Sequence, residues 1–118
     1  MFKIRIIIVI LIIVFGSELR ATTVFITGIN DLPLMSGLVL KSELPVVFDT
    51  PGGRIVEVFA TGKITPASIS SFYSNILPQL GWQPIAKNEF QRDKELLKID
   101  FFDHNMGRST VRFFVISN

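Results

Sequence analysis

Two carboxylates and the only histidine of the chain lie close together, at Asp100, Asp103 and His104. Carboxylate oxygens and imidazole nitrogens bind divalent metals, and the same groups act as acids and bases in hydrolysis. The stretch lacks Glu-x-x-His and His-x-x-x-His spacing, and no serine in a Gly-x-Ser-x-Gly turn could serve as a nucleophile for His104. A solvated hairpin loop over 103–108 is therefore the favoured interpretation. A small hydrolase or metal-dependent enzyme using these three residues is the alternative.

Few other residues suggest chemistry. Thr50-Pro51-Gly52-Gly53 beside Arg54 has the composition of an anion-binding loop, but a tight turn between two strands explains the same residues. The chain contains no cysteine, which removes thiol catalysis, thiolate metal sites and disulfides. We therefore assign no catalytic, cofactor-binding or metal-binding residue, expect no cofactor, and favour a protein that is not an enzyme.

One segment has the pattern of an amphipathic helix. Thr65 suits the N-cap, Pro66 suits the first helical position, and Gly81 is the expected stop. Pro78 removes one backbone donor near the end, so we expect a kinked or tightened last turn. The apolar face recurs at helical spacing and comprises Ile69, Phe72, Tyr73, Ile76, Leu77 and Leu80.

Strand-like segments surround this helix. Residues 45–49 and 54–61 predict a hairpin, 82–86 and 89–92 predict one strand broken near Lys87-Asn88, and 95–102 and 109–116 predict the last two strands. The resulting fold class is α+β, with an antiparallel sheet of four to five strands and one helix packed on one face, in the order β-β-α-β-β-β. We expect this domain to cover 45–118 and to follow an irregular N-terminal arm at 22–44.

Period-two alternation divides the last two strands into two faces. Leu97, Ile99 and Phe101 are expected under the helix together with Val111, Phe113 and Val115. The second face has charges in its middle and large apolar residues at its ends, so something should cover part of it. The N-terminal arm is the first candidate, and a partner or a second copy, paired along 109–116 if that strand is an edge, is the second. The possible partner surface comprises Leu96, Phe102, Arg112, Phe114 and Ile116.

The N-terminal segment has the layout of a secretory signal peptide. Lys3 and Arg5 precede the apolar run 6–15, and a polar stretch then ends at Ala21. As a helix the run spans about 15 Å, roughly half of a bilayer's hydrocarbon core. We expect cleavage after Ala21, with Gly16 or Ser17 as alternative sites. The predicted location is periplasmic or secreted, and anchoring to the inner membrane by an uncleaved N-terminus is the alternative.

Removal of 1–21 changes the charge of the protein. The whole chain has 12 basic and 10 acidic residues, and nine of each remain on 22–118. The basic excess therefore belongs to the signal segment and does not indicate a nucleic-acid partner. Membrane contact is expected only through the signal segment, if it is retained.

A longer pattern supports export. Phe72-Tyr73-x-x-x-Leu77-Pro78-x-Leu80-Gly81-Trp82, followed by Phe90-x-Arg92 and Leu96-x-Lys98-Ile99, resembles a small family of uncharacterised exported proteins of alphaproteobacteria. The resemblance covers roughly 31–116 and implies an exported protein without assigning an activity. Taken together, the sequence predicts a non-enzymatic protein-binding module of the cell envelope, whose partner is an envelope protein or a second copy.

Overall fold

The computed structural model describes residues 24–118, apart from the side chains of Asp103 and His104. The predicted signal peptide, 1–21, and its cleavage site lie outside these residues. The described chain forms an antiparallel sheet with one α-helix, which agrees with the predicted α+β class. Its elements are β1 (Val39–Leu40), β2 (Val46–Thr50), β3 (Gly53–Gly62), α1 (Pro66–Ile76), a 3₁₀ helix (Leu77–Leu80), β4 (Gln83–Ala86), β5 (Glu89–Arg92), β6 (Glu95–Asn105) and β7 (Arg108–Ser117).

The last strand lies in the middle of the sheet. The strand order is β1-β3-β7-β6-β5-β4, and β2 also pairs with β3. On one side of β7, Val115 is opposite Val56 of β3, and on the other side it is opposite Leu97 of β6. Pairing of a partner along 109–116 was predicted only if that strand is an edge, and this condition is not met. An alternating antiparallel strand has the same pattern at the centre and at the edge of a sheet, so periodicity does not distinguish the two positions.

The sheet has seven strands rather than four or five. The chain reverses at Lys87-Asn88, where Asn88 has a φ of 60°, so the predicted broken strand is a hairpin of β4 and β5. The short β1 adds another strand. In addition, β6 continues to Asn105, so the predicted loop at 103–108 is reduced to a tight turn at Met106 and Gly107, both with positive φ.

The helix forms where the sequence predicts it. The Thr65 hydroxyl accepts a hydrogen bond of 3.2 Å from the Ser68 amide, and Pro66 begins the helix. The last turn tightens into the 3₁₀ helix at Pro78, and Gly81 ends it with a φ of 93°. Ile69, Tyr73 and Leu77 are fully buried, whereas Phe72, Ile76 and Leu80 flank them and are half-buried. No helix of residues 24–118 is long and apolar enough to span a membrane.

The N-terminal arm packs on the same face of the sheet as the helix. Its Ile26, Ile29, Leu32 and Leu38 are buried in one core with the inward side chains of β3, β6 and β7. An 11-residue helix is about 16 Å long, while six strands side by side span roughly 24 Å. The helix is therefore too short to cover its face alone, and the arm fills the remainder. The expectation that the arm covers the second face is wrong.

Candidate protein-binding surface

The face of the sheet opposite the helix and the arm is built by register. Residues directly opposite each other on antiparallel strands point to the same side. Arg112 is opposite both Asp100 and Phe59, and Phe114 is opposite both Lys98 and Glu57. We call this side the open face. Its central residues are Ile55, Glu57, Phe59 and Thr61 of β3, Thr110, Arg112, Phe114 and Ile116 of β7, and Leu96, Lys98, Asp100 and Phe102 of β6.

Arg112 organises the centre of the open face. One guanidinium nitrogen lies 3.2 Å from a Glu57 carboxylate oxygen, and the other lies 3.1 Å from an Asp100 oxygen. The same guanidinium lies 4.7 Å from the centre of the Phe114 ring and 5.9 Å from that of Phe102. Such cation–aromatic contacts are attractive and hold the planar group in place. The two carboxylates at the centre therefore share one guanidinium, and the aromatic rings lie beside it.

Apolar side chains occupy both ends of the open face. At one end, the rings of Phe59 and Phe102 are 6.2 Å apart and tilted by 49°. Phe102 is 42% exposed. At the other end, Leu96 and Ile55 lie on either side of Ile116, and Phe48 of β2, which is 51% exposed, extends the row beyond Ile55. The helix and the arm lie on the opposite side, so in residues 24–118 these apolar groups meet solvent.

The structure brings together all five residues of the predicted partner surface. Leu96 and Ile116 are a cross-strand pair, Arg112 forms the central ion pairs, and Phe102 and Phe114 lie beside its guanidinium. The sequence did not indicate that β2 and β3 contribute to this face, through Phe48, Ile55, Glu57 and Phe59. The available signal was the alternation along β3, in which Ile55, Glu57 and Phe59 are interleaved with the buried Val56, Val58 and Ala60. This alternation does not show that β3 pairs with β7.

A bulge interrupts the outer edge of the sheet beside the open face. Leu40 of β1 is opposite Ala60, and Val46 of β2 is opposite Glu57, so residues 41–45 run alongside only Val58 and Phe59. The Lys41 amide donates a hydrogen bond of 2.9 Å to the Phe59 carbonyl, after which the chain loops outward. This bulge borders an open pocket of about 190 Å³, which we call the bulge cavity and which is lined by Lys41, Ser42, Leu44, Val46, Glu57, Val58 and Phe59.

The two edges of the sheet differ in how well they resist pairing with another strand. At one edge, β4 is short, contains Pro84 and has an irregular register between Pro84 and Ala86. Proline and bulges are features that block strand addition. At the other edge, all five residues of β2 are exposed, three of them are the apolar Val46, Val47 and Phe48, and Asp49 is the only charge. In the described chain, β2 pairs with β3 alone.

The alternative catalytic stretch is described only in part. Asp100 lies on the open face, and its carboxylate contacts Arg112. The side chains of Asp103 and His104 lie outside the described residues. Among those that are described, no group of three histidine, cysteine, aspartate or glutamate side chains is placed to hold a metal ion. The enzyme alternative therefore stays a hypothesis.

Comparison of the chain with protein-family models, curated proteins and solved structures finds no match. The resemblance to exported alphaproteobacterial proteins stays a prediction.

Proposed function

We propose that this protein is a non-enzymatic protein-binding module of the bacterial cell envelope that acts through the open face. The observation that carries the proposal is the position of the N-terminal arm. Because Ile26, Leu32 and Leu38 are buried on the helix side, the arm leaves Phe102 and its neighbours on the open face in contact with solvent. A contiguous apolar patch on a small domain commonly marks a binding site for another protein.

The composition of the open face supports protein binding. Aromatic residues and arginine are enriched at the centres of protein interfaces, whereas unpaired charges are depleted there. Phe59, Phe102 and Phe114 surround Arg112, whose charge is already balanced by two carboxylates. A partner can therefore cover this region without leaving Arg112 uncompensated.

The envelope location rests on the N-terminal sequence. A basic start, a short apolar run and a small residue at Ala21 are typical of an exported protein. The periplasm or the medium is the proposed location, and an inner-membrane anchor formed by an uncleaved N-terminus is the alternative. The partner is an envelope protein or a second copy of the chain.

Affinity capture tests the proposal. The tagged protein, processed in its own host, is used to retain proteins from envelope extracts, and Phe102→Asp and Phe114→Asp each place a charge on the open face. Met106→Asp is the matched control, because Met106 is exposed at the β6–β7 turn. We expect a partner that the parent and the control retain and that both open-face variants lose while their circular dichroism is unchanged. Equal retention by all four proteins would contradict the proposal.

A further inference from the structure

We infer that the partner of the proposed module is an extended, uncharged peptide segment that pairs with the edge of β2 and inserts one large apolar side chain into the bulge cavity. This inference rests on the proposed function and specifies the chemistry of the partner. It depends on three separate features, which are the unprotected edge, the size of the cavity and the distribution of charge.

The edge of β2 is suited to strand addition. A peptide that pairs with an exposed edge gains main-chain hydrogen bonds, and pockets for its side chains provide specificity. Residues Val46–Thr50 are exposed and extended, and they have neither the proline nor the irregular register that protects β4 at the opposite edge. Pro45 and Pro51 flank the strand and limit the paired stretch to about five residues.

The bulge cavity is sized for one side chain. Sites for small-molecule ligands usually enclose about 300–1,000 Å³, whereas this cavity has about 190 Å³. Its walls include Leu44, Val46 and Phe59, and Leu44 is 75% exposed. A leucine, methionine or phenylalanine side chain from a strand beside β2 would bury this otherwise wetted apolar surface. Anchoring of one apolar side chain in a pocket is a common source of binding energy at interfaces.

The distribution of charge favours an uncharged segment. Of the two charged residues that line the cavity, Glu57 is paired with Arg112. Lys41 has a long aliphatic stem that can line an apolar wall while its ammonium stays in water. Farther along the open face, Lys98 is opposite Glu89. A charged side chain entering the cavity would lose hydration, and the one lining charge that is not already paired, the solvated Lys41 ammonium, would offer it little stabilisation.

A random library of displayed linear heptapeptides, selected on the immobilised protein with its processed N-terminus, tests the inference. We expect enrichment of proline-free sequences with a leucine, methionine or phenylalanine and few charges. Binding of an enriched synthetic peptide should weaken at least about tenfold, or about 1.4 kcal/mol, in Leu44→Asp at the cavity and in Val46→Lys at the edge. Met106→Asp and Ile85→Lys are the controls, and Ile85→Lys places the same charge on the opposite edge strand. Both controls should bind as the parent does.

Several results would overturn the inference. They are the absence of enrichment, enrichment of charged motifs, and equal binding by all variants. Self-association of the parent that Val46→Lys abolishes would also overturn it, because a second copy would then occupy the edge. If the envelope partner is lost in Phe102→Asp but kept in Leu44→Asp and Val46→Lys, the inference fails while the proposed function stands.

Discussion

The Tyr73 hydroxyl donates a hydrogen bond of 2.7 Å to the carbonyl oxygen of Pro33. It also accepts a bond of 3.0 Å from the amide of Met35. One buried side chain of α1 therefore satisfies two backbone groups of the arm, on either side of Leu34. Burial raises the pKa of Tyr73 well above its usual value, because the phenolate would lose its hydration, and the Met35 amide opposes this effect only in part. The helix and the arm are thus joined by a group that must stay protonated.

Stability should fall in alkaline solution because of Tyr73. The unfolded chain loses the phenolic proton near pH 10, whereas the folded chain holds it to a higher pH. The contribution of Tyr73 to the free energy of unfolding is complete below about pH 10, and above that pH it falls by about 1.4 kcal/mol per pH unit. Denaturant melts across this range measure the fall, and Tyr73→Phe should remove this component. Tyr73 is the only tyrosine, so phenolate absorbance appearing in the fully folded protein near pH 10 would contradict the prediction.

Leu32 in the arm should be as important for stability as a residue of the sheet. Its side chain is fully buried in the core, so Leu32→Ala should lower the free energy of unfolding by about 2–5 kcal/mol. Leu44→Ala is the matched control, because Leu44 is largely exposed, and it should change stability by less than about 0.5 kcal/mol. Urea denaturation compares the two. Similar small losses in both variants would show that the arm is not part of the core.

Leu77 and Phe72 should contribute differently to stability, although both lie on the predicted apolar face of the helix. Leu77 is completely buried, and Leu77→Ala should cost about 2–5 kcal/mol. Phe72 is half-buried at the side of the same face and packs edge-on against Tyr73, with ring centres 4.9 Å apart. Phe72→Ala should therefore cost less than Leu77→Ala. A larger loss for Phe72 in thermal or denaturant melts would reverse the assignment of the helix face.

Removal of Arg112 should destabilise the sheet, and a double-mutant cycle should detect the coupling between Arg112 and Glu57. Arg112→Leu leaves the partly buried Glu57 carboxylate without its cation, so we expect a loss of about 1–3 kcal/mol. Asp100 is more exposed, and its pair should add no more than about 1 kcal/mol. Glu57→Gln in the Arg112→Leu background should restore part of the loss. Additive effects of the two substitutions in this double-mutant cycle would exclude the coupling, and Arg108→Leu at the exposed turn controls for the removal of an arginine.

We predict that the protein is exported and that, after cleavage, it begins near Thr22. The apolar run at 6–15 is short for a membrane span, so retention of 1–21 as a membrane anchor is disfavoured. Intact-mass measurement on protein recovered from the periplasm or the medium locates the new N-terminus. Full-length protein confined to the membrane fraction would exclude cleavage.

Local signals account for the parts of the fold that the sequence predicted. Thr65, Pro66 and Gly81 define the helix through capping and backbone conformation, and each acts within a few residues. The turn at Gly53 is similarly local, because Gly53 has a φ of 134°, a conformation that favours glycine. The hairpin of β2 and β3 was therefore predictable.

Long-range pairing was not predictable from the same signals. One edge of β7 pairs with β6, which directly precedes it in the chain, and the other pairs with β3, which is distant in sequence. The alternation at Val111, Phe113 and Val115 would be the same in an edge strand. The arm was misplaced for a related reason. Leu32 and Leu38 show that the arm is apolar, but they do not show that α1 leaves part of its own face of the sheet uncovered for the arm to fill.

The sequence predicted only the part of the candidate surface that β6 and β7 form. Leu96 and Ile116 share the open face because alternation on β6 and β7 requires it. The complementary half, including Phe59 and Glu57, depends on the position of β3 beside β7. The bulge cavity forms because residues 41–45 loop out between β1 and β2, which pair with separate parts of β3. Residues 41–45 have no periodic pattern that would predict this loop.

The central position of β7 has a consequence for the timing of folding. Strand β3 pairs with β6 only through β7, so the sheet cannot close until residues 108–117 are available. Such non-local pairing delays the formation of a stable core. A chain that is synthesised from its N-terminal end therefore keeps β3 and β6 apart until residues 108–117 are free to pair with both.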